Sequence, residues 1–202
     1  SPDSAAVVYR AVQDTDGVNE LYRVVLSAPT VSVKLNGALV AGGNVSSTYV
    51  VTPDSASVVY IADETVDEQF ELYRTVFAGV VRTVLTGARI GAGQDVYSVA
   101  TVPDGSSVVY IADETSAGTR EVFLVRFSSP ASSTKLNPAF ASGRQAQDLV
   151  VSSDSTVVYY RANQTSVGIV ELYRVVVSAA GSSNTLNGTL VAGGNVTAFA
   201  VR

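Results

Sequence analysis

The chain repeats itself about every fifty residues, and this repetition restricts its fold more than any other feature. An aspartate that opens a turn recurs at spacings of 51, 50 and 50 residues, at Asp3, Asp54, Asp104 and Asp154. A glutamate follows each aspartate by 17 residues, at Glu20, Glu71, Glu121 and Glu171. A leucine forms a third series, at Leu35, Leu85, Leu136 and Leu186. Markers in one register indicate a tandem repeat, which we divide into units 1–52, 53–102, 103–152 and 153–202 of a single domain.

Each unit has the pattern of four short β-strands. The run after the turn, such as Val58-Val59-Tyr60-Ile61, is β-branched and aromatic at consecutive positions, as in a strand that is buried on both faces. A second strand begins near the recurring glutamate, a third ends at the recurring leucine, and a fourth precedes the next turn. Pro53-Asp54-Ser55 and Asn36-Gly37 are typical turn sequences. No segment has a sustained helical period, which disfavours helical solenoids.

Sheets with two apolar faces must be covered on both sides, and this requirement predicts a β-propeller. Four antiparallel four-stranded blades can pack face to face, and closing the ring covers the end faces. Residues 196–202 have the sequence of a strand that precedes a turn, so we expect them to pair with Val7–Tyr9 and to close the first blade. We favour a ring of four blades from one chain, because one chain supplies four complete units; the alternative is an eight-bladed ring from two chains.

The composition excludes several functional classes. The chain contains no His and no Cys, so zinc sites with thiolate or imidazole ligands, disulfides, and Ser-His or Cys-His nucleophile pairs are excluded. A net charge of −5 argues against nucleic acid as a partner. The apolar runs are too short to span a bilayer. Since the chain lacks a starting Met and an apolar leader, we expect a mature or excised piece.

The repeat unit also resembles a known repeat family. Residues 102–113 read Val-Pro-Asp-Gly-Ser-Ser-Val-Val-Tyr-Ile-Ala-Asp, and residues 71–74 read Glu-Leu-Tyr-Arg. These phrases resemble the TolB-like, WD-like propeller repeats of bacterial surface and periplasmic proteins. The resemblance extends over all four units, with departures at Ser153 and at Val122-Phe123-Leu124. It implies a propeller, a role in binding partners, and a secreted, periplasmic or cell-surface location.

The candidate ligand-binding residues lie where the chain enters each innermost strand. They are Asn44, Asp95, Asp148 and Asn195. Innermost strands line the channel of a propeller, so these oxygens could meet at the channel mouth and hold Ca²⁺ or Na⁺, which prefer oxygen ligands. The alternative is a solvated channel mouth. We predict no catalytic residue and no other cofactor.

The other recurring residues have structural interpretations. The repeated aspartates are expected to form the turns. The repeated glutamates are expected to pair with arginines, as Glu20 would with Arg10 or Arg23. The repeated tyrosines lie inside apolar strands, so we expect them to pack between blades.

These features favour a non-catalytic module that presents its loops or channel mouth to a protein or glycan partner, as a monomer or a head-to-tail homodimer. An alternative is a structural segment of a larger surface or fibre protein, because residues 35–45 and 186–196 are nearly identical. A more remote alternative is a glycosidase that uses Asp95 and Asp148 as paired carboxylates.

Overall fold

The computed structural model describes residues 1–87 and 93–201, and their regular structure is almost entirely β. The strands in this part of the chain are β1 Ala6–Ala11, β2 Glu20–Val25, β3 Ser32–Lys34, β4 Val45–Val51, β5 Ser57–Ala62, β6 Glu71–Val76, β7 Val81–Val84, β8 Val96–Thr101, β9 Ser107–Ala112, β10 Glu121–Arg126, β11 Ser133–Lys135, β12 Ala146–Val151, β13 Val157–Ser166, β14 Ile169–Val176 and β15 Asn184–Thr185. Single 3₁₀ turns occupy Ala78–Val80 and Val177–Ala179.

The strands form four antiparallel sheets in chain order. Sheet 1 contains β1-β2-β3, and sheets 2, 3 and 4 contain β4-β5-β6-β7, β8-β9-β10-β11 and β12-β13-β14-β15. Within each sheet every strand pairs with the next one along the chain, so each sheet is a simple meander. The predicted all-β class with four antiparallel propeller blades is confirmed.

The repeated aspartates form the turns between the first two strands of a blade, as the sequence predicts. Asp54 Oδ1 accepts hydrogen bonds from the N–H of Ala56 at 3.0 Å and from the hydroxyl of Thr52 at 2.5 Å. These bonds hold the pKa of the Asp54 carboxyl below its ordinary value. Gly105 and Ser55 take the left-handed position of the turn, at φ of 72° and 57°, a conformation that glycine adopts without steric cost.

The repeated tyrosines pack in cross-strand pairs at the centre of each blade. Tyr60 lies opposite Tyr73, and their ring centroids are 5.6 Å apart. The other three blades repeat this stack through Tyr9–Tyr22, Tyr110–Phe123 and Tyr160–Tyr173. Stacked aromatic pairs at this distance stabilise a sheet beyond the area that they bury.

The core consists of three layers of apolar side chains, one between each pair of neighbouring sheets. Strands β5 and β9 are buried at every position, as expected for strands covered on both faces. In the layer between sheets 2 and 3, Val59 and Ile61 of one blade pack with Val108 and Tyr110 of the next. Residues at the equivalent positions of neighbouring blades form the other two layers.

The two end faces of this series are open. Val7 in sheet 1 is 46% exposed, whereas its equivalents Val58, Val108 and Val158 are fully buried. At the other end, Leu186 is 43% exposed, while the equivalent Leu35 is 1% exposed. The four blades therefore form an open arc with two uncovered ends.

The predicted closing strand is wrong for this structure. Sheet 1 has three strands, β1 pairs only with β2 among the described strands, and residues 196–201 form no strand. The cause lies in sheet 4, which fixes where the segment starts: the N–H of Val196 donates to Val170 O at 2.8 Å, as the N–H of Val45 donates to Asn19 O. Residue 196 thus takes the position where an innermost strand after sheet 4 would start. In the open arc, strand β1 of sheet 1 does not lie beside this position.

Candidate functional site

The site residues predicted from the sequence lie on one side of the blades. Because the sheets are antiparallel meanders, the loops after the second strand of each blade and the loops that enter the innermost strands emerge on the same side. We call this side the loop face. It contains residues 12–19, 35–44, 63–70, 85–87, 93–95, 113–120, 136–145, 167–168 and 186–195.

Three of the four predicted residues occupy equivalent positions on the loop face. Each uses its side-chain oxygen to accept a backbone N–H from the preceding blade: Asn44 from Asn19 at 2.9 Å, Asp95 from Phe70 at 2.8 Å, and Asn195 from Val170 at 2.6 Å. These oxygens therefore join neighbouring blades. Cation binding by them stays a prediction.

Asp148 does not belong to this set, and its expected placement in an entry loop is wrong. It lies within β12, where its carboxylate accepts bonds from the Arg161 guanidinium at 2.7, 2.9 and 3.0 Å. Gln145 takes the place equivalent to Asn44, because its N–H binds the side chain of Asn163 at 2.5 Å. Within the described residues, no three His, Cys, Asp or Glu side chains are grouped to hold a metal ion.

Two buried aspartates that organise the loop face were missed by the sequence analysis. The carboxylate of Asp63 accepts hydrogen bonds from the backbone N–H groups of Asn44 and Glu68. The carboxylate of Asp113 accepts them from Asp95 at 2.5 Å and from Gly118 at 2.8 Å. Each carboxylate thereby ties a hairpin loop to the entry loop of its own blade. The available signal was the identical tetrapeptide Ala-Asp-Glu-Thr at 62–65 and 112–115.

The repeated glutamates accept bonds from lysine in units one and three and from tyrosine hydroxyls in units one, two and four, so the predicted pairing with arginine is wrong. Glu20 accepts bonds from Lys34 Nζ at 2.6 Å and from the Tyr22 hydroxyl at 2.8 Å. Arg10 binds the carbonyl of Val45 instead, and the Arg23 guanidinium lies over a phenyl ring. In unit three Lys135 repeats the lysine contact with Glu121 at 3.2 Å.

Unit four, like unit two, keeps the glutamate but lacks the lysine. Thr185 stands at the position of Lys34, and Glu171 is bound by the hydroxyls of Thr165 and of Tyr173, the latter at 2.6 Å. These hydroxyl bonds lower the pKa of the Glu171 carboxyl below its ordinary value. The carboxylate is therefore ionised at neutral pH and has no lysine partner comparable to that of Glu20.

Two cavities occupy equivalent places on the loop face of units one and four. The cavity in unit four has a volume of about 340 Å³, and the one in unit one has about 320 Å³. The first is lined by Thr165, Ser166, Ile169, Glu171, Thr189, Leu190, Val191 and Ala192. Hydroxyl and carboxylate groups form one wall and aliphatic side chains form the other. Val191, on the aliphatic wall, is 80% exposed.

The comparisons with known proteins identify the fold. Comparisons with protein-family models and with curated proteins find no match. Among solved structures, TolB from Acinetobacter baumannii is similar, with a TM-score of 0.60, 16% identity, and coverage of 94% of this chain and 42% of that one. A putative TolB from Agrobacterium tumefaciens gives a TM-score of 0.61, 17% identity, and coverage of 92% and 62%.

Propellers of other proteins match equally well. A puromycin-hydrolysing peptidase of Mycobacterium tuberculosis gives a TM-score of 0.62 at 14% identity, with coverage of 92% of this chain and 31% of that one. At these identities the likeness shows the β-propeller fold alone. This chain spans less than two thirds of each of these structures. Within the described residues, no helix has the length and apolar character that crossing a membrane requires.

Proposed function

We propose that this chain is a non-catalytic binding module whose loop face takes a protein partner outside the cytoplasm. The observation that carries the proposal is the cavity of unit four, which places an ionised carboxylate beside an exposed aliphatic wall. Binding sites generally combine an apolar lining with a few polar groups that fix orientation. The TolB-like neighbours add support for a protein partner and for an extracytoplasmic location.

The chemistry of the cavity favours one kind of protein segment. Glu171 would accept a hydrogen bond from a cationic side chain or an N–H group, while Leu190 and Val191 would cover an aliphatic side chain next to it. The net charge of −5 favours the approach of a basic partner. The preferred ligand is therefore a segment that combines a basic residue with a small aliphatic one.

The bonding of the acidic residues supports a non-catalytic role. Asp148 is held by Arg161, and Asp95 is bound to a backbone N–H. The buried Asp63 and Asp113 each bind two backbone N–H groups. These carboxylates already have structural partners within the fold.

Selection from a displayed peptide library against the full chain tests the proposal. We expect selected peptides to be enriched in a basic residue beside an aliphatic one, and Val191→Ser, which removes the aliphatic contact without adding charge, to weaken their binding at least tenfold. Val167→Ser is the matched control, because Val167 is 74% exposed nearby but does not line the cavity. Equal binding by both variants, or glycoside turnover that Asp95→Asn abolishes, would contradict the proposal.

A further inference from the structure

The repeated glutamate of the loop face is paired with a lysine of its own blade in units one and three. Lys34 Nζ lies 2.6 Å from Glu20 Oε1, and Lys135 Nζ lies 3.2 Å from Glu121 Oε1. Both lysines belong to the third strand of the blade, opposite the aromatic residue two positions after the glutamate. In these two units the fold thus supplies an ammonium group to the carboxylate.

Unit four has the same carboxylate without this ammonium group. Thr185 occupies the place of Lys34 and is exposed. Among residues 1–87 and 93–201, no lysine or arginine forms an ion pair with Glu171. The carboxylate lines a cavity of about 340 Å³. Unit four therefore keeps the acceptor of the lysine contact and has an open volume where the other units have the donor.

The existing bonds of Glu171 favour a primary ammonium over a guanidinium. The hydroxyls of Thr165 and Tyr173 both donate to Oε2, and the amide of Asn187 adds a weaker interaction. Oε1 is the atom that lysine binds in units one and three. A bidentate arginine requires both carboxylate oxygens, whereas an ammonium group binds a single oxygen as a compact point charge.

The aliphatic wall of the cavity fits the stem of a lysine side chain. Leu190 and Val191 lie on this wall. A lysine side chain packs its methylene groups along apolar surface while its ammonium group reaches a polar partner. The same wall recurs in unit one as Leu39 and Val40, where blade 2 packs against blade 1. The cavity is therefore a feature of the repeat itself.

We propose that the cavity of unit four takes a lysine side chain of the protein partner, an assignment that rests on the proposed function, and that Thr185 determines this specificity. The partner's ammonium group binds Glu171 as Lys34 binds Glu20. In unit one Lys34 already occupies this place, so its charge repels a second ammonium group. Unit two also lacks the lysine, with Val84 at its place, but part of the corresponding loop lies outside the described residues.

A nuclear magnetic resonance titration with the dipeptide N-acetyl-Lys-Val-amide tests the assignment. We expect shifts at the amides of residues 190–192, and weaker binding of analogues with arginine or norleucine in place of the lysine. Thr185→Lys should weaken binding at least tenfold, because it supplies the ammonium group from within the blade. Asn184→Lys is the matched control: it adds the same charge at the preceding position, which faces the other side of the strand, and should leave the affinity within about twofold.

The converse variant, Lys34→Thr, should open the equivalent cavity of unit one. We expect a second binding event, reported by the amides of residues 39–41. A single binding event in this variant, unchanged affinity in Thr185→Lys, tighter binding of the arginine analogue, or no dipeptide binding would overturn the assignment. If library peptides nevertheless lose affinity on Val191→Ser, the proposed function stands without it. If neither the dipeptide nor any library peptide binds, both fail.

Discussion

Single residues hold the turns of this fold through bonds that are local in the sequence. Asp54 binds groups that lie two residues away on either side, so its role follows from the Pro-Asp-Ser sequence. The same local bond recurs at Asp104 and Asp154. Turn aspartates of this kind stabilise a hairpin by pre-ordering its backbone.

We predict that Asp54→Ala lowers the free energy of unfolding by about 1 kcal/mol at neutral pH, the typical net value of such bonds. Since the folded-state pKa is lowered from 3.8, this stabilisation is present above pH 3.8 and is lost as the pH falls through the folded-state pKa. Urea unfolding followed by circular dichroism at several pH values measures it. Asp16→Ala in an exposed loop is the control, and an equal loss in both variants would contradict the prediction.

Roles that depend on distant partners were less accessible to sequence reasoning. Glu20 was expected to bind Arg10 or Arg23. It binds Lys34 instead, which lies 14 positions away and is brought next to it by the neighbouring strand. Asn44 was expected to face a channel, but its oxygen accepts an N–H that lies 25 positions earlier. The repeat register locates such residues, while strand pairing and blade packing determine their partners.

At the scale of the strand, burial depends on whether a blade lies on each side. Val58 and Val7 hold the same position in two blades, yet the first is fully buried and the second is 46% exposed. The apolar run predicted strands covered on both faces, which β5 and β9 confirm. Strand β1 departs from that pattern only because it lies at the end of the arc.

We predict that Val58→Ala lowers the free energy of unfolding by about 2 kcal/mol, because it removes two buried methyl groups and leaves a cavity. For an isolated chain, Val7→Ala should change it by less than about 0.5 kcal/mol. Chemical unfolding of both variants measures the difference. Equal losses for Val7→Ala and Val58→Ala would contradict the prediction.

At the scale of the whole molecule, the repeat predicts the blades correctly but not their closure. Sequence patterns define strands and their two faces, whereas the angle between successive blades arises from the detailed packing of side chains in three layers. That angle decides whether the fourth blade returns to the first. Here it does not, and the terminal segment is left beside sheet 4.

We predict that Ala200→Pro changes the free energy of unfolding by less than about 0.5 kcal/mol, because residue 200 lies outside every described strand. Val50→Pro, in the middle of β4, should instead destabilise the chain, since proline removes a backbone N–H and is excluded from the middle of a sheet. Urea unfolding of both variants measures the difference, and an equal loss in both would contradict the prediction.

The most direct test of the open arc is hydrogen exchange of the unmodified chain. The account predicts that the amides of β5 and β9, which are paired on both sides and buried at every position, exchange slowly. It predicts that the outward-facing amides of β1, which pairs with β2 alone among the described strands, exchange rapidly. Equal protection along β1 and β5 would contradict the open arc.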